Sequence, residues 1–243
     1  MYNIIRCLAA VLLVTSIDVY GHSAAAADSL DTSTSPSHIA RATFKDDFES
    51  FSMNTWSCEY TCPVIEGGKA RFRLRSGVPP DSEGSWSKAR YKAERFTSGK
   101  FTVSFSLTAR PTEQPVWWGV ALWDNGPISD GSEFNEINFG YTTDQSFRNT
   151  QLWFESARRG NAKPVKIDTG VDLYDEQYHT AVLEYDADHV AFFLDGEKLG
   201  EITDQSFIPT DPMDLLLGPR LVSDGEPLTE GFTQSIDWVE ISS

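Results

Sequence analysis

The sequence contains few cysteines, histidines and basic residues, and each shortage excludes a class of function. Three cysteines and four histidines in 243 residues leave little for a metal site, and no histidine has ligand spacing around a cysteine. Twenty Lys and Arg stand against 36 Asp and Glu, which gives a formal net charge of −16. Such a charge repels nucleic acid and anionic membranes, and it also disfavours a highly acidic polysaccharide. Neutral partners remain.

Several sequence signatures are also missing. No segment shows a long helical period, a glycine-rich phosphate loop, a dinucleotide fingerprint or a serine nucleophile elbow. After residue 17, no apolar run is long enough to span a bilayer. Any chemistry must therefore depend on carboxylates, and we expect no cofactor and no metal in the site.

The N-terminal residues predict an export signal. Arg6 precedes an apolar stretch at 7–17, and small residues at 23–27 suit cleavage. A buried N-terminal helix is the alternative. We expect residues 1–27 to be removed, 28–42 to form a flexible Ser/Thr-rich leader, and 43–243 to form the folded domain of a secreted or periplasmic protein.

Two cysteines remain after the signal is removed. Cys58 and Cys62 lie in TWSCEYTCPV. In an oxidising compartment the simplest prediction is that they pair as one structural disulfide.

Short alternating runs predict an all-β fold. Residues 69–75, 101–107 and 189–195 each place apolar side chains on one face, and 180–186 and 235–242 are further strand candidates. Asp195-Gly196 is a hairpin signal. No linker interrupts residues 43–243, so we predict a single domain built as a two-sheet sandwich.

The stretch SEFNEINFGY at 132–141 alternates like a strand and places Glu136, Asn138 and Gly140 on one face. Glycoside cleavage needs two positioned carboxyl groups, and acidic residues two apart on a strand are one way to supply them. Here only the first of the three positions is acidic.

A hairpin between this stretch and QLWFES at 151–156 would bring a second carboxyl to the same face. In the register that we predict, Glu136 lies opposite Glu155, with Asn138 opposite Trp153 and residue 140 opposite Gln151. A slip of one residue would remove Glu155 from that face.

The chain also concentrates tryptophan before this strand, in PVWWGVALWDNG at 115–126. Aromatic rings combined with a few polar groups form typical ligand clefts. We predict that the substrate-binding residues are Trp86, Trp118, Trp123, Gln151 and Trp153. For any single tryptophan, a place in the core between the sheets is the alternative.

In this order the segments resemble glycoside hydrolase family 16, the group of laminarinases, lichenases and xyloglucan transferases. TFKDDFESFSMNTWS is similar to its opening strand and VWWGVALW to the tryptophan-rich run before its active strand. EQYHTAVLEYDADHVAFFLDGEKLGE is similar to its late hairpin and QSIDWVEISS to its closing strand. The resemblance covers residues 43–243 and implies a concanavalin A-like β-jelly roll.

The active strand of that family reads Glu-Ile-Asp, then one or two residues, then Glu. The resemblance implies that Glu136 is the nucleophile. Asn138 replaces the Asp, and Gly140, or Tyr141 with the longer spacing, replaces the acid/base. Glu155 is the nearby carboxyl that could substitute.

The resemblance also implies sugar contacts from the neighbouring strand, at Trp153 and Glu155. It further suggests a structural calcium at Asp237, for which an ordinary surface carboxylate is the alternative.

Three functions are open at this point. The first is a monomeric glycosidase or transglycosylase acting on a neutral β-glucan-like polysaccharide or oligosaccharide. The second is a lectin-like binding protein that has lost cleavage, as the replaced motif positions suggest. The third is an adhesive surface protein with an incidental cleft.

Overall fold

The alternating runs fold as antiparallel strands in a computed structural model that describes residues 43–127, 131–142, 146–222 and 225–242. The predicted export signal and leader lie outside the described residues. All regular secondary structure in the described part is β-strand, and no helix there is long and apolar enough to cross a membrane. The described residues belong to one compact unit, which agrees with the predicted single domain.

The strands, within the described residues, are β1 (Thr43–Asp46), β2 (Trp56–Tyr60), β3 (Val64–Ile65), β4 (Ala70–Leu74), β5 (Ser87–Tyr91), β6 (Gly99–Leu107), β7 (Val116–Trp117), β8 (Val120–Asp124), β9 (Asn135–Thr142), β10 (Gln151–Arg158), β11 (Asn161–Asp168), β12 (His179–Tyr185), β13 (Val190–Leu194), β14 (Glu197–Ile202), β15 (Asp214–Leu217), β16 (Arg220–Leu221) and β17 (Phe232–Ser242). They form two antiparallel sheets. The eight-stranded sheet has the order β14-β13-β12-β6-β17-β4-β3, with β1 beside β17. The nine-stranded sheet has the order β11-β10-β9-β8-β15-β5-β2, with β7 pairing with β9 and β16 with β7.

The predicted strands are confirmed where the alternation is cleanest. β4 buries Ala70, Phe72 and Leu74 on one face, as expected. β13 and β14 are joined by the two-residue Asp195-Gly196 turn, with Leu194 opposite Glu197. The all-β sandwich is therefore confirmed.

The core lies between the two sheets and is rich in aromatic rings. Phe139 of the nine-stranded sheet lies 4.9 Å from Phe192 of the eight-stranded sheet, and Phe154 lies 5.8 Å from the same ring. Each such fully buried side chain contributes roughly 1.5–3 kcal/mol to the free energy of folding. Since alternate residues of each strand point into this core, the others face outwards, and on the nine-stranded sheet they form the site described below.

Cys58 and Cys62 form the predicted disulfide, with their Cα atoms 5.1 Å apart. The bond closes a turn of three residues, 59–61, at the end of β2. Because β2 is the last strand of the nine-stranded sheet, the disulfide fixes the edge of that sheet.

Candidate functional site

Two neighbouring cavities lie on the outer face of the nine-stranded sheet, with volumes of about 230 and 140 Å³. Trp117, Glu136 and Arg220 line both. We therefore treat the two as one groove, called here the Glu136 cleft. The strands that supply these residues are β7, β9 and β16, which pair side by side.

Glu136 lies on β9, opposite Trp123 of β8 and Ala157 of β10. Burial, and after it the charge of Glu155, raises the pKa of Glu136 to about 7. The positive charge of Arg220 and a hydrogen bond from Asn138 act in the opposite direction, towards a lower pKa. A carboxyl group that titrates near neutral pH inside a cleft is typical of functional sites.

Glu155 shares the smaller cavity with Glu136, but the predicted register is wrong by two residues. Glu155 lies opposite Asn138, and Glu136 lies opposite Ala157. A shift of two residues keeps every side chain on its face, so Glu155 still points into the cleft, as a diagonal neighbour of Glu136. Burial raises the pKa of Glu155 as well.

The register error arises at the turn, where Tyr141 rather than Asn138 lies opposite Trp153, and a bulge at Gly140 in β9 then reduces it from three residues to two. Phe139 pairs with Phe154, whereas Tyr141 pairs with Trp153, so residue 140 has no partner of its own. Gly140 has φ +92°, a value that favours glycine. A Cβ at this position would lie 2.2 Å from the carbonyl oxygen of Trp118. The backbone thus excludes any side chain here.

The bulge selects the longer of the two spacings that the resemblance left open. Tyr141 lines the cleft with Glu136 and Asn138, so Tyr141 occupies the third position of the active-strand pattern. Burial raises the pKa of the Tyr141 hydroxyl, and Glu155 and Glu136 raise it further, while Arg220 lowers it. Tyr141 therefore stays protonated at neutral pH, and its hydroxyl is available as a hydrogen-bond donor.

The predicted tryptophans divide between cleft and core. Trp86 and Trp123 line the larger cavity and Trp153 lines the smaller one. Trp118 does not line the cleft: it is fully buried between the sheets and its indole N–H donates to the Tyr174 hydroxyl, at 2.9 Å.

The correction for Trp118 follows from strand alternation, since adjacent residues point to opposite faces. Its neighbour Trp117 faces the cleft, a role that we did not assign from the sequence. Gln151 also differs from the prediction, because it lines neither cavity and its side-chain oxygen accepts a hydrogen bond from the Arg148 backbone N–H, at 3.1 Å.

Basic side chains form one wall of the cleft, and we did not predict them from the sequence. Lys88 and Arg90 of β5 both contact Glu59, the former at 3.5 Å. Arg220 has no salt bridge with any described residue, and its guanidinium lies over the Trp86 ring, 5.3 Å from the centroid. Burial lowers the pKa of Lys88. These residues come from distant parts of the chain, so only the topology brings them together.

The cleft also contains donors that no described group satisfies. The indole nitrogens of Trp86 and Trp117 are buried and have no hydrogen-bond partner among the described residues. A buried donor without a partner is costly. The aromatic faces and carboxyl groups that line the cleft suit a ligand rich in hydroxyl groups.

The described residues contain no group of three or more His, Cys, Asp or Glu arranged to hold a metal ion. Asp237, the residue that the resemblance suggested for calcium, forms a salt bridge with Lys69, with 2.8 Å between Oδ1 and Nζ.

Comparison with known proteins agrees with this fold. Residues 81–243 match the model of a family described as the concanavalin A-like lectin/glucanases superfamily. No curated protein sequence matches the chain.

Solved structures with the same fold include three carbohydrate-active proteins. The β-glucanase of Bacillus licheniformis is 16% identical, with 83% of this chain and 98% of that chain covered and a TM-score of 0.66. The laminarinase catalytic domain of Thermotoga petrophila RKU-1 is 16% identical, with 82% of this chain and 96% of that chain covered and a TM-score of 0.63. The Crh5 transglycosylase in complex with NAG is 18% identical, with 84% of this chain and 85% of that chain covered and a TM-score of 0.60. At these identities the likeness shows the fold.

The chain therefore belongs to the concanavalin A-like lectin/glucanase superfamily. The resemblance to glycoside hydrolase family 16 is confirmed at the level of the jelly-roll fold.

Proposed function

We propose that the protein binds a neutral β-glucan-like polysaccharide in the Glu136 cleft and cleaves or transfers it, with Glu136 as nucleophile. The observation that carries this proposal is the pair of carboxyl groups, Glu136 and Glu155, in a groove lined by Trp117 and Trp153. Aromatic faces suit the apolar faces of sugar rings, and paired carboxyls suit glycoside cleavage.

In the proposed reaction, the Glu136 carboxylate attacks the anomeric carbon and forms a glycosyl ester. The glycosidic oxygen leaves with a proton from Glu155. Water or a sugar hydroxyl then attacks the ester, gives its proton to Glu155 and releases Glu136. Tyr141 and Asn138 donate hydrogen bonds in the cleft, and neither replaces the family's carboxyl at its position.

The proposed pair needs one proton shared between two carboxyl groups. Burial disfavours ionisation of both, and the negative charge of Glu155 further disfavours ionisation of Glu136. Arg220 and Asn138 oppose this effect at Glu136, whose pKa stays raised to about 7.

The proposal is tested by incubating the protein with laminarin, lichenan and xyloglucan. The two readouts are new reducing ends, and transfer of glycan to a fluorescent oligosaccharide acceptor. We expect product with at least one glycan, reduced at least 10³-fold in Glu136→Gln and about 10²-fold in Glu155→Gln. A product yield that both variants retain would contradict the assignment of the pair.

A second candidate is a lectin-like protein that binds the same glycans without cleaving them. Tyr141 favours it, because a phenol whose pKa is raised is a poor proton donor to a leaving group. Binding of a glycan without hydrolysis or transfer would select this candidate.

The predicted secretion of the protein belongs to the same proposal. A polysaccharide partner and a disulfide at Cys58 and Cys62 both suit a compartment outside the cytoplasm.

A further inference from the structure

At the edge of the nine-stranded sheet, an exposed aromatic ring lies beside the Glu136 cleft. Tyr60 is the last residue of β2 and is 54% exposed. Its ring lies 4.8 Å from the ring of Trp86, which lines the larger cavity. Most of the Tyr60 ring is thus open to solvent while one side contacts the wall of the cleft.

The backbone of Tyr60 is strained. It has φ +62°, and the Thr61 N–H donates to the carbonyl of Glu59, at 2.9 Å. This combination is that of a γ-turn with positive φ, which is rare because it is strained. Strain of this kind persists only where the surrounding structure imposes it, and it concentrates at ligand-binding sites. Here the disulfide between Cys58 and Cys62 closes around the turn.

The turn changes the side of the sheet on which Tyr60 lies. In a regular strand, Tyr60 would share the face of Trp56 and Cys58, and Trp56 is fully buried in the core. The strained residue interrupts this alternation, and its ring packs against Trp86 instead. Since the exposed ring buries little area, stability of the core does not explain why the chain holds it there.

Tyr60 lies at one end of a row of side chains that crosses the sheet. Tyr141 is 5.7 Å from the Trp153 ring, and Trp117 pairs with both Tyr141 and Arg220. Neighbouring strands are roughly 4.8 Å apart, so the row is long enough for several linked sugars. In order across the sheet, its members are Trp153, Tyr141, Trp117, Arg220, Trp86 and Tyr60.

We propose that Tyr60 and Trp86 form an outer subsite that stacks on a sugar ring of a chain extending from the Glu136 cleft towards β2. This inference rests on the proposed function and adds to it the direction in which the polysaccharide leaves the cleft. The exposed face of Tyr60 offers an uncharged surface to the C–H groups of a pyranose.

The subsite predicts that Tyr60 matters for long oligosaccharides and not for short ones. The variant for this test is Tyr60→Gly, because glycine removes the ring and adopts positive φ without strain. We expect its dissociation constant for a β-glucan heptasaccharide to rise roughly 3–10-fold, measured by calorimetry with Glu136→Gln in the parent and in every variant so that the oligosaccharide is not cleaved. The constant for a disaccharide, which occupies only the region around Glu136, should stay unchanged, and Tyr60→Phe should bind both as the parent does.

Tyr178→Ala is the matched control. Tyr178 is 40% exposed and lies beneath Lys69, away from the cleft, so its removal should change neither constant. Equal affinity of the parent and Tyr60→Gly for the heptasaccharide would overturn the subsite and leave the proposed function intact. A parent protein that binds neither oligosaccharide would overturn both, and equal losses for the two lengths would overturn the outer position of the subsite.

Discussion

Replacing Glu136 by glutamine is expected to make the protein more stable at pH 8 while removing its chemistry. The folded protein raises the pKa of Glu136 to about 7 from an ordinary value of 4.5, chiefly through burial. Between these values the folded state binds a proton that the unfolded state does not, so the stability of the parent falls as the pH rises from about 4.5 to about 7. Above pH 7 the folded parent contains a buried, ionised carboxylate, which lowers its free energy of unfolding. Glutamine is uncharged, so the variant lacks this destabilisation.

The expected gain at pH 8 is roughly 3 kcal/mol in the free energy of unfolding, or about 6–12 °C in Tm for a domain of this size. At pH 4 the two proteins should unfold at the same temperature, because the carboxyl group is then neutral in both states. Thermal unfolding across this pH range measures the difference.

Glu66→Gln serves as the control for this measurement. Glu66 is exposed, and hydrogen bonding with Arg73 lowers its pKa, so its replacement should give no gain at pH 8. If Glu136→Gln unfolded at or below the parent's temperature at pH 8, the buried-carboxyl account of the cleft would be wrong.

Glutamate at position 141 is expected to increase glycan cleavage, whereas glutamate at position 140 is expected to destabilise the fold. Because of the bulge, the side chain of residue 141 lines the cleft, beside Asn138 and Glu136. The double variant Asn138→Asp, Tyr141→Glu would place two further carboxyl groups on the strand of Glu136. General acid catalysis contributes typically 10²–10⁴-fold. Because Glu155 supplies the proton in the parent, we expect the gain in the Glu155→Gln background, where reducing-end release should rise by roughly 10²-fold.

Gly140→Glu introduces the same side chain one residue earlier and serves as the matched contrast. Its Cβ would meet the carbonyl oxygen of Trp118, and its φ is positive, so we expect a loss of roughly 3 kcal/mol or more. The corresponding fall in Tm is about 6–12 °C. A stable Gly140→Glu protein with increased cleavage would show that residue 140, not 141, is the third position of the site.

Local patterns in the sequence were enough to predict most of the fold. The alternation at 69–75 and 101–107 and the Asp195-Gly196 turn each describe contacts within a strand or between chain neighbours, and these are confirmed. The two-sheet sandwich follows because such strands must bury their apolar faces against each other.

The register of the site strand could not be predicted in the same way. A hairpin count fixes the pairing only if the centre of the turn is known and both strands are regular. Here the pairing next to the turn, Tyr141 with Trp153, already differs from the predicted one, and the bulge at Gly140 adds a residue to β9. A glycine inside a strand is itself a signal for such a bulge. The adjacent Trp117 and Trp118 present a similar problem, since alternation requires opposite faces but does not say which ring faces the cleft.

The cleft residues that come from distant strands could not be predicted from the sequence. Arg220, Lys88 and Tyr60 lie far from Glu136 along the chain, and only the strand order of the sheet brings them to one face. No local pattern marks them, and the positive φ of Tyr60 is imposed by a turn that the disulfide closes.

The most direct test of the central claim is to identify the residue that carries the sugar. A short β-glucan oligosaccharide with fluoride as its leaving group and fluorine at C2 needs no proton donor for the first step and is slow in the second. After incubation, mass spectrometry of the peptides shows where the glycosyl group is attached. We predict an adduct on the Glu136 peptide that is absent from Glu136→Gln. An adduct on Glu155, or none in a protein that binds the oligosaccharide, would contradict the assignment of Glu136 as nucleophile.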